Sequence, residues 1–527
     1  MHFDKRLLIL IPIILSSFTH LWNAALFPSF HIDEGVYIRR ALHALNGLGI
    51  LDPDSKFDHP QDTTSPYDHP FFGQIVLASI FKIINYPQSL MPSSDMASTE
   101  NLYSVPRSIM GIFAIIDTLL IYKIGERRFN PTIALYSSLL FAVMPSTWFT
   151  RRVVLDSIML PFVLTSILLI LETKLHPSWV NRLLLLSGVS LGLAIFTKIP
   201  SFTMIPLLIY LILQVEERKP LLSRNNMRKI VLFLIPVVLI PLIWPTYALM
   251  SGELGQWFDG VIWQATSRQS EDKTLFDVGF SFLRSDPVIL ILGAVGIIYL
   301  TVRREFFGIM WAFPYITFLY LVAWVNHFHF ILILPILCIS IAKIIHDLPS
   351  IVRIRGKATI ISSGIIAAIV LFGIMSTIIL ISTNLSYIQL QTASYISKEI
   401  SPKAFTTNSN KDSNGKQQVT VITGPIYSWI YKYVYSNEAA FSHIRDTQPI
   451  HTNKIILLVD SLYKRLTTRS EAENQSQLTR LSGIYNSTEL SALFEKLPAN
   501  YSKKNYPFTG IDSADSGLTA SEIRKNY

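Results

Sequence analysis

The chain alternates long apolar runs with short polar connections over its first 383 residues. About 20 consecutive apolar residues are needed for a helix to cross the hydrocarbon core of a bilayer. The pattern therefore predicts a mainly α-helical, polytopic membrane domain at residues 1–383, with about eleven transmembrane helices. The predicted spans are residues 6–27, 104–124, 132–149, 153–172, 183–197, 200–215, 230–250, 286–302, 306–325, 329–346 and 358–383.

Two shorter patterns lie between the first and second spans, in the first loop at residues 28–103. Residues 36–48 predict an amphipathic helix with apolar residues on one side and basic residues elsewhere. Such a helix is typical of a segment that lies in the membrane interface. The apolar stretch at 71–84 is too short to span a bilayer comfortably and predicts a second interfacial helix.

Residues 384–527 show the pattern of a small C-terminal α/β domain. Gln418–Thr423 and Ile455–Asp460 have the apolar, β-branched character of strands. An aromatic, helix-like run opens at Gly424 between them. Residues 400–417 are rich in Ser, Asn and Lys, which is typical of a flexible loop.

Composition supports a membrane protein and excludes several other classes. Half of the residues are hydrophobic and only 15% are charged, whereas about 25% are charged in a typical soluble domain. Cys338 is the single cysteine, so no intramolecular disulfide and no cysteine cluster for zinc or iron–sulfur is possible. The net charge of +9 is attributed to loop charges that set topology, and no nucleic-acid partner is predicted.

Charge assigns the connections to opposite sides of the membrane. With a cytoplasmic N-terminus, every cytoplasmic connection carries basic residues, whereas the first loop holds nine carboxylates against four basic residues. This is the positive-inside pattern. The basic residues of the cytoplasmic connections are Arg127, Arg128, Lys174, Arg182, Arg218, Lys219, Arg224, Arg228, Lys229, Arg303, Arg304, Arg353, Arg355 and Lys357.

An odd number of spans then puts the C-terminal domain outside the cytoplasm. All four N-x-S/T sequons of the chain lie in it, at Asn384, Asn474, Asn486 and Asn500. Lys5 and Arg6 precede the first apolar run with no small-residue cleavage pattern after it, so that run is predicted to be a signal anchor. The predicted location is the cell membrane.

Candidate catalytic groups lie in the first loop. Asp33 and Glu34 are adjacent carboxylates directly after the first span, and Asp68 and His69 follow later in the loop. A carboxylate beside a hydroxyl can act as a general base, although a solvated acidic loop is the plainer alternative. A divalent metal stays an alternative, but no standard ligand spacing occurs among His31, Asp33, Asp58, His59, Asp68 and His69.

Several cationic side chains lie at the predicted outer ends of the spans. Arg151 and Arg152 join the third and fourth spans, Lys198 interrupts an apolar turn, and His327 and His329 lie in another turn. Ionisable groups at membrane depth are costly and usually functional, although snorkelling to headgroups is the alternative. Together with the carboxylates they suit a lipid-linked phosphate, which needs cations and access from the membrane.

The order of these motifs resembles the C-type glycosyltransferases, specifically the protein O-mannosyltransferases and the bacterial aminoarabinose transferases. The resemblance covers roughly residues 1–346. The motifs that carry it are Asp33-Glu34, Asp68-His69-Pro70, Arg151 with Asp156, Gly192 with Lys198, and Phe328-His329-Phe330 with Pro335. The chain departs from the mannosyltransferases at Phe71, where they usually have a second proline, and its loop 251–285 is too short for their β-trefoil domain.

The resemblance implies a polyprenyl- or dolichyl-phosphate sugar donor, used on the outer face of the membrane. It implies that Asp33 is the catalytic aspartate, that Glu34 helps to hold the acceptor, and that Arg151 lies near the donor phosphate. Lys198 and His329 are expected at the same phosphate. Support of the acceptor or of the loop is expected of Asp68, His69, Arg152 and His327.

The residues alone are compatible with this chemistry. A phosphate leaving group needs no general acid because cations stabilise its charge, so one carboxylate suffices to activate a hydroxyl, and direct attack inverts the anomeric carbon. The sugar, such as the hexose mannose, and the acceptor, a protein, glycan or lipid hydroxyl, stay open. The alternatives are a transporter or flippase for a lipid-linked or anionic solute, and an inactive scaffold.

Overall fold

The computed structural model describes residues 8–52, 67–214, 223–267, 274–322, 325–352, 358–400, 419–436, 440–441 and 454–458. These residues are mostly helical. The α-helices are α1 Leu10–Leu21, α2 Ile32–Leu45, α3 Phe72–Ile83, α4 Met96–Arg128, α5 Pro131–Val143, α6 Leu155–Glu172, α7 Val180–Thr197, α8 Ile205–Leu213, α9 Arg224–Leu239, α10 Ile243–Met250, α11 Leu254–Ile262, α12 Leu275–Ser285, α13 Pro287–Val302, α14 Phe307–Leu321, α15 Leu334–Ile351, α16 Ala358–Ile381, α17 Tyr387–Ile400 and α18 Pro425–Trp429.

Shorter helical segments connect some of these helices. The 3-10 helices are Gln88–Leu90, Pro145–Arg151, Pro177–Trp179, Ile199–Met204 and His327–Leu332. Trp263–Ser267 and Ile430–Val434 are single π-helical turns.

Six helical segments within the described ranges are long and apolar enough to cross a membrane, and up to eight if each of two bent pairs is one span. This pattern is that of a multi-pass membrane protein. Three other predicted spans fall on shorter apolar helices, so helix length and composition do not establish the predicted count of eleven. The three shorter segments are Leu10–Leu21, Ile199–Leu213 and Phe307–Leu321.

The two bent pairs are joined by one carboxylate. Helix α5 stops before Pro145 and continues, after a 70° bend, as Pro145–Arg151. Helices α12 and α13 meet at 114° around Asp286. Asp286 caps α13 by accepting from the backbone N–H of Ile289 at 3.1 Å, and it also accepts from the backbone N–H and hydroxyl of Ser146 at 3.1 and 2.8 Å.

Small residues set the close approach of the central helices. A Cβ added at Gly188 of α7 would lie 2.2 Å from the carbonyl oxygen of Phe233 in α9, and one at Gly192 would lie 2.6 Å from that of Pro236. Real Cβ atoms do not approach a backbone so closely, so both positions need glycine for α7 and α9 to pack at this distance. The large apolar core around them runs from α4 to α9 and through α13–α15.

Helix α2 differs from the interfacial helix predicted at residues 36–48. It begins four residues earlier, at Ile32, and residues 33–43 are all buried. An interfacial helix keeps one face toward lipid, and α2 does not, because α3 and α18 cover it. The prediction was wrong because Arg39 and Arg40, which it places away from the apolar side, have buried carboxylate partners.

The predicted strand–helix–strand order of the tail is confirmed in the described residues. Val419–Thr423 (β1) pairs in parallel with both Ala440–Phe441 (β2) and Lys454–Leu458 (β3), in the order β2-β1-β3. The loop predicted at 400–417 falls almost wholly outside the described residues. Trp429 and other residues of α18 share one apolar core with α2, whereas the predicted extent of the C-terminal domain stays a prediction.

Candidate active site

The first turn of α2 carries the two candidate carboxylates. The His31 imidazole caps the helix by accepting from the backbone N–H of Asp33 at 3.3 Å, and Glu34 accepts from the backbone N–H of His31 at 3.0 Å. This reciprocal arrangement is a capping box, which satisfies two N–H groups at the helix start. The local sequence therefore places Asp33 and Glu34 at the same helix terminus.

Glu34 is held by Arg107, a residue that the sequence analysis did not single out. The guanidinium donates through Nε to Oε1 at 2.8 Å and through Nη2 to Oε2 at 2.7 Å. Both side chains are 1% exposed. Arg107 also donates to four carbonyl oxygens between α1 and α2, at 2.6–3.2 Å; they belong to Ala24, Ala25, Pro28 and Ser29.

The electrostatics of Glu34 follow from this pairing. Burial alone would raise the pKa of Glu34, but the charge and hydrogen bonds of Arg107, with the charge of Arg152, lower the pKa below its ordinary value. Glu34 also accepts from the backbone N–H of Val153 at 3.2 Å. Both oxygens of Glu34 thus have protein partners, which suits a residue that positions the loop better than one that contacts the acceptor.

Asp33 has different surroundings from Glu34. Its residue is 8% exposed, and its carboxylate lies 3.5 Å from Nδ1 of His31. Tyr37 follows one turn later in α2; burial raises the pKa of its phenol well above the ordinary value, and the charges of Asp33 and Asp68 raise it further. Asp33, Tyr37 and Asp68 therefore interact within one cluster.

Asp68 is fixed to α2 from the far part of the first loop. Arg40 donates to its two carboxylate oxygens at 2.8 and 2.9 Å, in the bidentate geometry that arginine favours. Burial alone would raise the pKa of Asp68, but the charge of Arg40 and the neighbouring His69 hold it well below its usual range. The ring of His69 lies edge-on to Tyr37 at 6.2 Å, so His69 joins the same cluster.

Lys198 approaches this cluster from the C-terminal end of α7. Its Nζ lies 2.5 Å from Oδ2 of Asp156 and 4.9 Å from the centre of the Phe328 ring. The Phe328 ring also meets the His31 ring edge-on, with centroids 5.9 Å apart. Phe328 thus contacts both Lys198 and the His31 ring, which lies beside Asp33, although Lys198 and Asp33 are 165 positions apart in the sequence.

Arg151 ends the bent segment after α5 and is 0% exposed. Its Nη2 donates to the carbonyl oxygen of Trp22, and its guanidinium lies 5.5 Å from the centre of the Phe27 ring. Its Nε and Nη1 have no hydrogen-bond partner within the described parts of the chain. The adjacent Arg152 lies over Trp148 at 5.4 Å and acts electrostatically on Glu34.

The two predicted histidines, His327 and His329, form hydrogen bonds in the turn before α15. Nδ1 of His329 accepts from the backbone N–H of Asn326 at 3.1 Å, which caps the 3-10 helix His327–Leu332. His327 contacts the hydroxyl of Ser281 in α12 through Nε2, at 2.9 Å. The ring of His329 lies 4.8 Å from that of Phe328, the ring that Lys198 also contacts.

The structure therefore brings Asp33, Asp68, His69 and Lys198 together, with Arg151, Arg152 and Glu34 around Arg107 beside them. Across the described ranges, no three His, Cys, Asp or Glu side chains converge in a manner that could hold a metal ion. Two of the weighed ligands, Asp58 and His59, lie outside the described residues.

Comparison with known proteins supports the resemblance to the C-type glycosyltransferases. A family model described as dolichyl-phosphate-mannose-protein mannosyltransferase matches residues 104–244, a segment that includes Arg107, Arg151 and Lys198. The resemblance to the C-type glycosyltransferases that the motifs predicted is thereby confirmed. No curated protein sequence matches the chain.

Solved structures also align with most of the chain. The archaeal oligosaccharyltransferase AglB from Archaeoglobus fulgidus, in complex with an inhibitory peptide and a dolichol-phosphate, aligns at a TM-score of 0.48 and 13% identity, over 84% of this chain and 65% of its own. ArnT from Cupriavidus metallidurans, bound to undecaprenyl phosphate, aligns at a TM-score of 0.47 and 11% identity, over 90% of this chain and 81% of its own. The chain thus spans less than two thirds of the length of AglB.

Proposed function

We propose, from the resemblance to the C-type glycosyltransferases, that the chain is a membrane glycosyltransferase. It moves a sugar, a hexose such as mannose, from a polyprenyl or dolichyl phosphate to a hydroxyl of a protein, glycan or lipid acceptor. The reaction takes place on the outer face of the membrane. The match to a mannosyltransferase family model supports the reaction class and the lipid-linked donor.

The observation that carries the proposal is the buried guanidinium of Arg151. It is 0% exposed, two of its N–H-bearing nitrogens have no partner in the described residues, and no carboxylate there forms an ion pair with it. A buried charge without a counter-charge is strongly unfavourable. A phosphate oxygen would supply both the negative charge and the missing acceptors, so Arg151 binds the donor phosphate.

The remaining cations complete the phosphate site. Lys198 and His329 both contact Phe328 beside the cluster that holds Asp33. Lys198 pairs with Oδ2 of Asp156, whose Oδ1 has no hydrogen-bond partner in the described residues. A phosphate that enters beside Lys198 is stabilised by its charge as the sugar–phosphate bond breaks. Free polyprenyl phosphate then leaves without needing a general acid.

Asp33 is the base of the proposed reaction. Its carboxylate takes the proton of the acceptor hydroxyl, the hydroxyl oxygen attacks the anomeric carbon, and the bond from that carbon to the phosphate oxygen breaks with its electron pair. The attack comes from the side opposite the phosphate and inverts the configuration. Glu34 acts as a positioning residue, because its pairing with Arg107 fixes the helix start that carries Asp33. Asp68, His69, Arg152 and His327 support the loop and the acceptor side.

The test is turnover of polyprenyl-phosphate sugars by purified protein, read as release of polyprenyl phosphate. We expect Asp33→Asn to lower the rate about 10²–10⁴-fold while donor binding is retained, since a general base contributes about that much. Arg151→Ala should weaken donor binding itself.

The outcomes separate the competing functions. Equal turnover by wild type and Asp33→Asn would exclude Asp33 as the base. Binding of the lipids without turnover by the wild type would favour a transporter or a scaffold instead.

A further inference from the structure

A second group of aromatic residues adjoins the site but has no part in the proposed mechanism. We call it the Trp244 cluster: Tyr67, Phe71, Phe196, Trp244, Tyr247 and Trp257. The Phe71 ring lies 5.0 Å from Phe196 and 5.4 Å from Tyr247, both in edge-on geometry. The Trp244 and Trp257 rings lie 5.6 Å apart, also edge-on.

The cluster is continuous with the candidate active site in sequence and in space. Tyr67 directly precedes Asp68 and His69, and Phe196 lies two residues before Lys198. The Tyr67 hydroxyl donates to Oε2 of Glu253 at 2.6 Å, which ties the first loop to the start of α11. The Trp244 cluster is thus next to the groups that we assign to the donor phosphate.

Two indole N–H groups in the cluster have no acceptor among the described residues. Nε1 of Trp244 and Nε1 of Trp257 are both inaccessible to solvent and have no hydrogen-bond partner in the described residues. Trp244 itself is 3% exposed. Elsewhere the chain supplies such acceptors: Trp311 donates to the carbonyl oxygen of Leu332 at 2.9 Å, and Trp429 donates to that of Ile426 at 2.8 Å.

The position of Trp257 on helix α11 directs it toward the cluster. Trp257 and Val261, four residues apart, pack against the cluster. Leu254, Phe258 and Ile262 form the neighbouring stripe of the helix and are exposed by 41%, 56% and 42%. The orientation of the indole is therefore set by the helix and not by a mobile side chain on a loop.

We propose that Trp244 and Trp257 form a subsite for the pyranose ring of the lipid-linked donor. The inference rests on the proposed function. A buried donor group without a partner is unfavourable, so a ligand that brings acceptors is favoured there. A sugar ring offers both features that the cluster requires, an apolar face for aromatic packing and hydroxyl oxygens that accept from indole N–H groups. An isoprenoid tail offers the apolar surface but no acceptor.

The test compares sugar-charged with sugar-free lipid. Trp244→Phe, Trp257→Phe and the double variant remove the N–H groups and keep an aromatic ring. Equilibrium binding of dolichyl-phosphate-mannose, dolichyl-phosphate-glucose and dolichyl phosphate is measured in detergent. We expect the double variant to weaken binding of at least one sugar-charged lipid about tenfold, as for the loss of two neutral hydrogen bonds, and to leave dolichyl phosphate unchanged.

Trp311→Phe is the matched control, because it removes a buried indole N–H that already has a carbonyl acceptor. It should leave the ratio of the affinities for charged and free lipid unchanged. Equal weakening of both lipids by the double variant would overturn the sugar subsite, and so would an unchanged affinity for both, or a wild type that binds all three lipids equally.

The same measurement in the Asp33→Asn background separates this inference from the proposed function. Binding selectivity needs no turnover, so the sugar preference and its loss in the double variant should persist there. Sugar selectivity in a wild-type protein that shows no turnover would refute the transferase assignment and keep the subsite.

Discussion

Arg107 shows how one side chain can organise the candidate site without touching a substrate. Its five N–H groups serve Glu34 and the carbonyl oxygens that follow α1, and its guanidinium lies 4.7 Å from the centre of the Phe30 ring. The Arg107–Glu34 pair is deeply buried, so the cost of desolvation offsets much of the attraction between the charges. The pair therefore contributes mainly by fixing the positions of the groups around it. Removing one member leaves the other as an unpaired buried charge.

We predict that Arg107→Ala destabilises the protein by about 3–5 kcal/mol, as expected for breaking a buried ion pair from one side. Glu34→Gln in the same background should recover part of that loss, because it removes the orphaned charge. The check is a double-variant cycle on thermal unfolding in detergent. Strictly additive effects of the two changes would contradict the pairing.

The individual residues of the site were partly predictable. Asp33, Asp68, Arg151 and Lys198 stood out because a charged group beside an apolar run is conspicuous in a sequence. Arg107 did not stand out, although it lies near the start of a predicted span, because its partner is 73 positions away. A charge inside an apolar run was a usable signal, but only the fold identifies what it binds.

The contact between α2 and α18 joins the first loop to the tail. A Cβ added at Gly35 would lie 2.1 Å from the carbonyl oxygen of Pro425. This oxygen belongs to the backbone, so no side-chain rotation can relieve the clash. The Tyr103 hydroxyl donates to the carbonyl oxygen of Ile426 at 2.6 Å on the same face. The two helices can approach closely only because position 35 lacks a side chain.

We therefore predict that Gly35→Ala destabilises this contact by about 1–3 kcal/mol, as expected for overpacking. Amide hydrogen exchange in Pro425–Trp429 should accelerate. Gly279→Ala in α12 is the control, because a Cβ there would meet nothing within 4 Å and alanine favours the helix. Unchanged exchange in Gly35→Ala would refute the close packing.

A second contact between the same segments should respond to pH. His43 of α2 lies 3.0 Å from the Tyr433 hydroxyl and faces the charges of Asp52, Lys432 and Arg39. Burial lowers the pKa of His43 below its ordinary value of 6.5; the charge of Asp52 opposes this shift, and those of Lys432 and Arg39 add to it. The unfolded state then binds more protons than the folded state below about pH 6.5, so stability falls as the pH falls through that range.

The measurement is the unfolding midpoint between about pH 7.5 and 5, compared with His43→Gln. The wild type should lose stability toward acid more steeply than the variant, since glutamine does not titrate. Parallel profiles would show that His43 does not contribute.

At the level of elements, the sequence pattern predicted where helices and strands occur better than it predicted what surrounds them. The strands of the tail were located within a residue or two, because β-branched runs are distinctive. Helix α2 was predicted as a helix, but its surroundings were not. The local sequence does not show that Arg39 and Arg40 are buried, because their partners Asp52 and Asp68 lie farther along the loop.

The orientation that the charge pattern predicts for the whole molecule is testable with single cysteines. We predict that Met91→Cys, in a Cys338→Ser background, reacts with a membrane-impermeant maleimide in intact cells, and that His176→Cys reacts only after permeabilisation. Met91 is 87% exposed in the first loop, and His176 is exposed in a predicted cytoplasmic connection. The reverse labelling pattern would invert the proposed topology, and with it the outer location of the site.

Hydropathy predicted the class of the whole molecule, whereas the count of eleven spans stays a prediction. Some apolar runs become one long helix, such as Met96–Arg128, whereas others divide at Pro145 or Asp286 into pieces that meet at steep angles. Composition averages over such a break, because proline and a capping aspartate change a run's direction without changing its mean hydropathy. The architecture around the site depends on these breaks.

The carboxylate of Asp286 connects those two breaks by hydrogen bonds. It is 1% exposed and holds Ser146 at the root of the Arg151 segment and Ile289 at the root of α13. Because one carboxylate accepts hydrogen bonds from both segments, a displacement of the start of α13 would be transmitted to the backbone that carries Arg151.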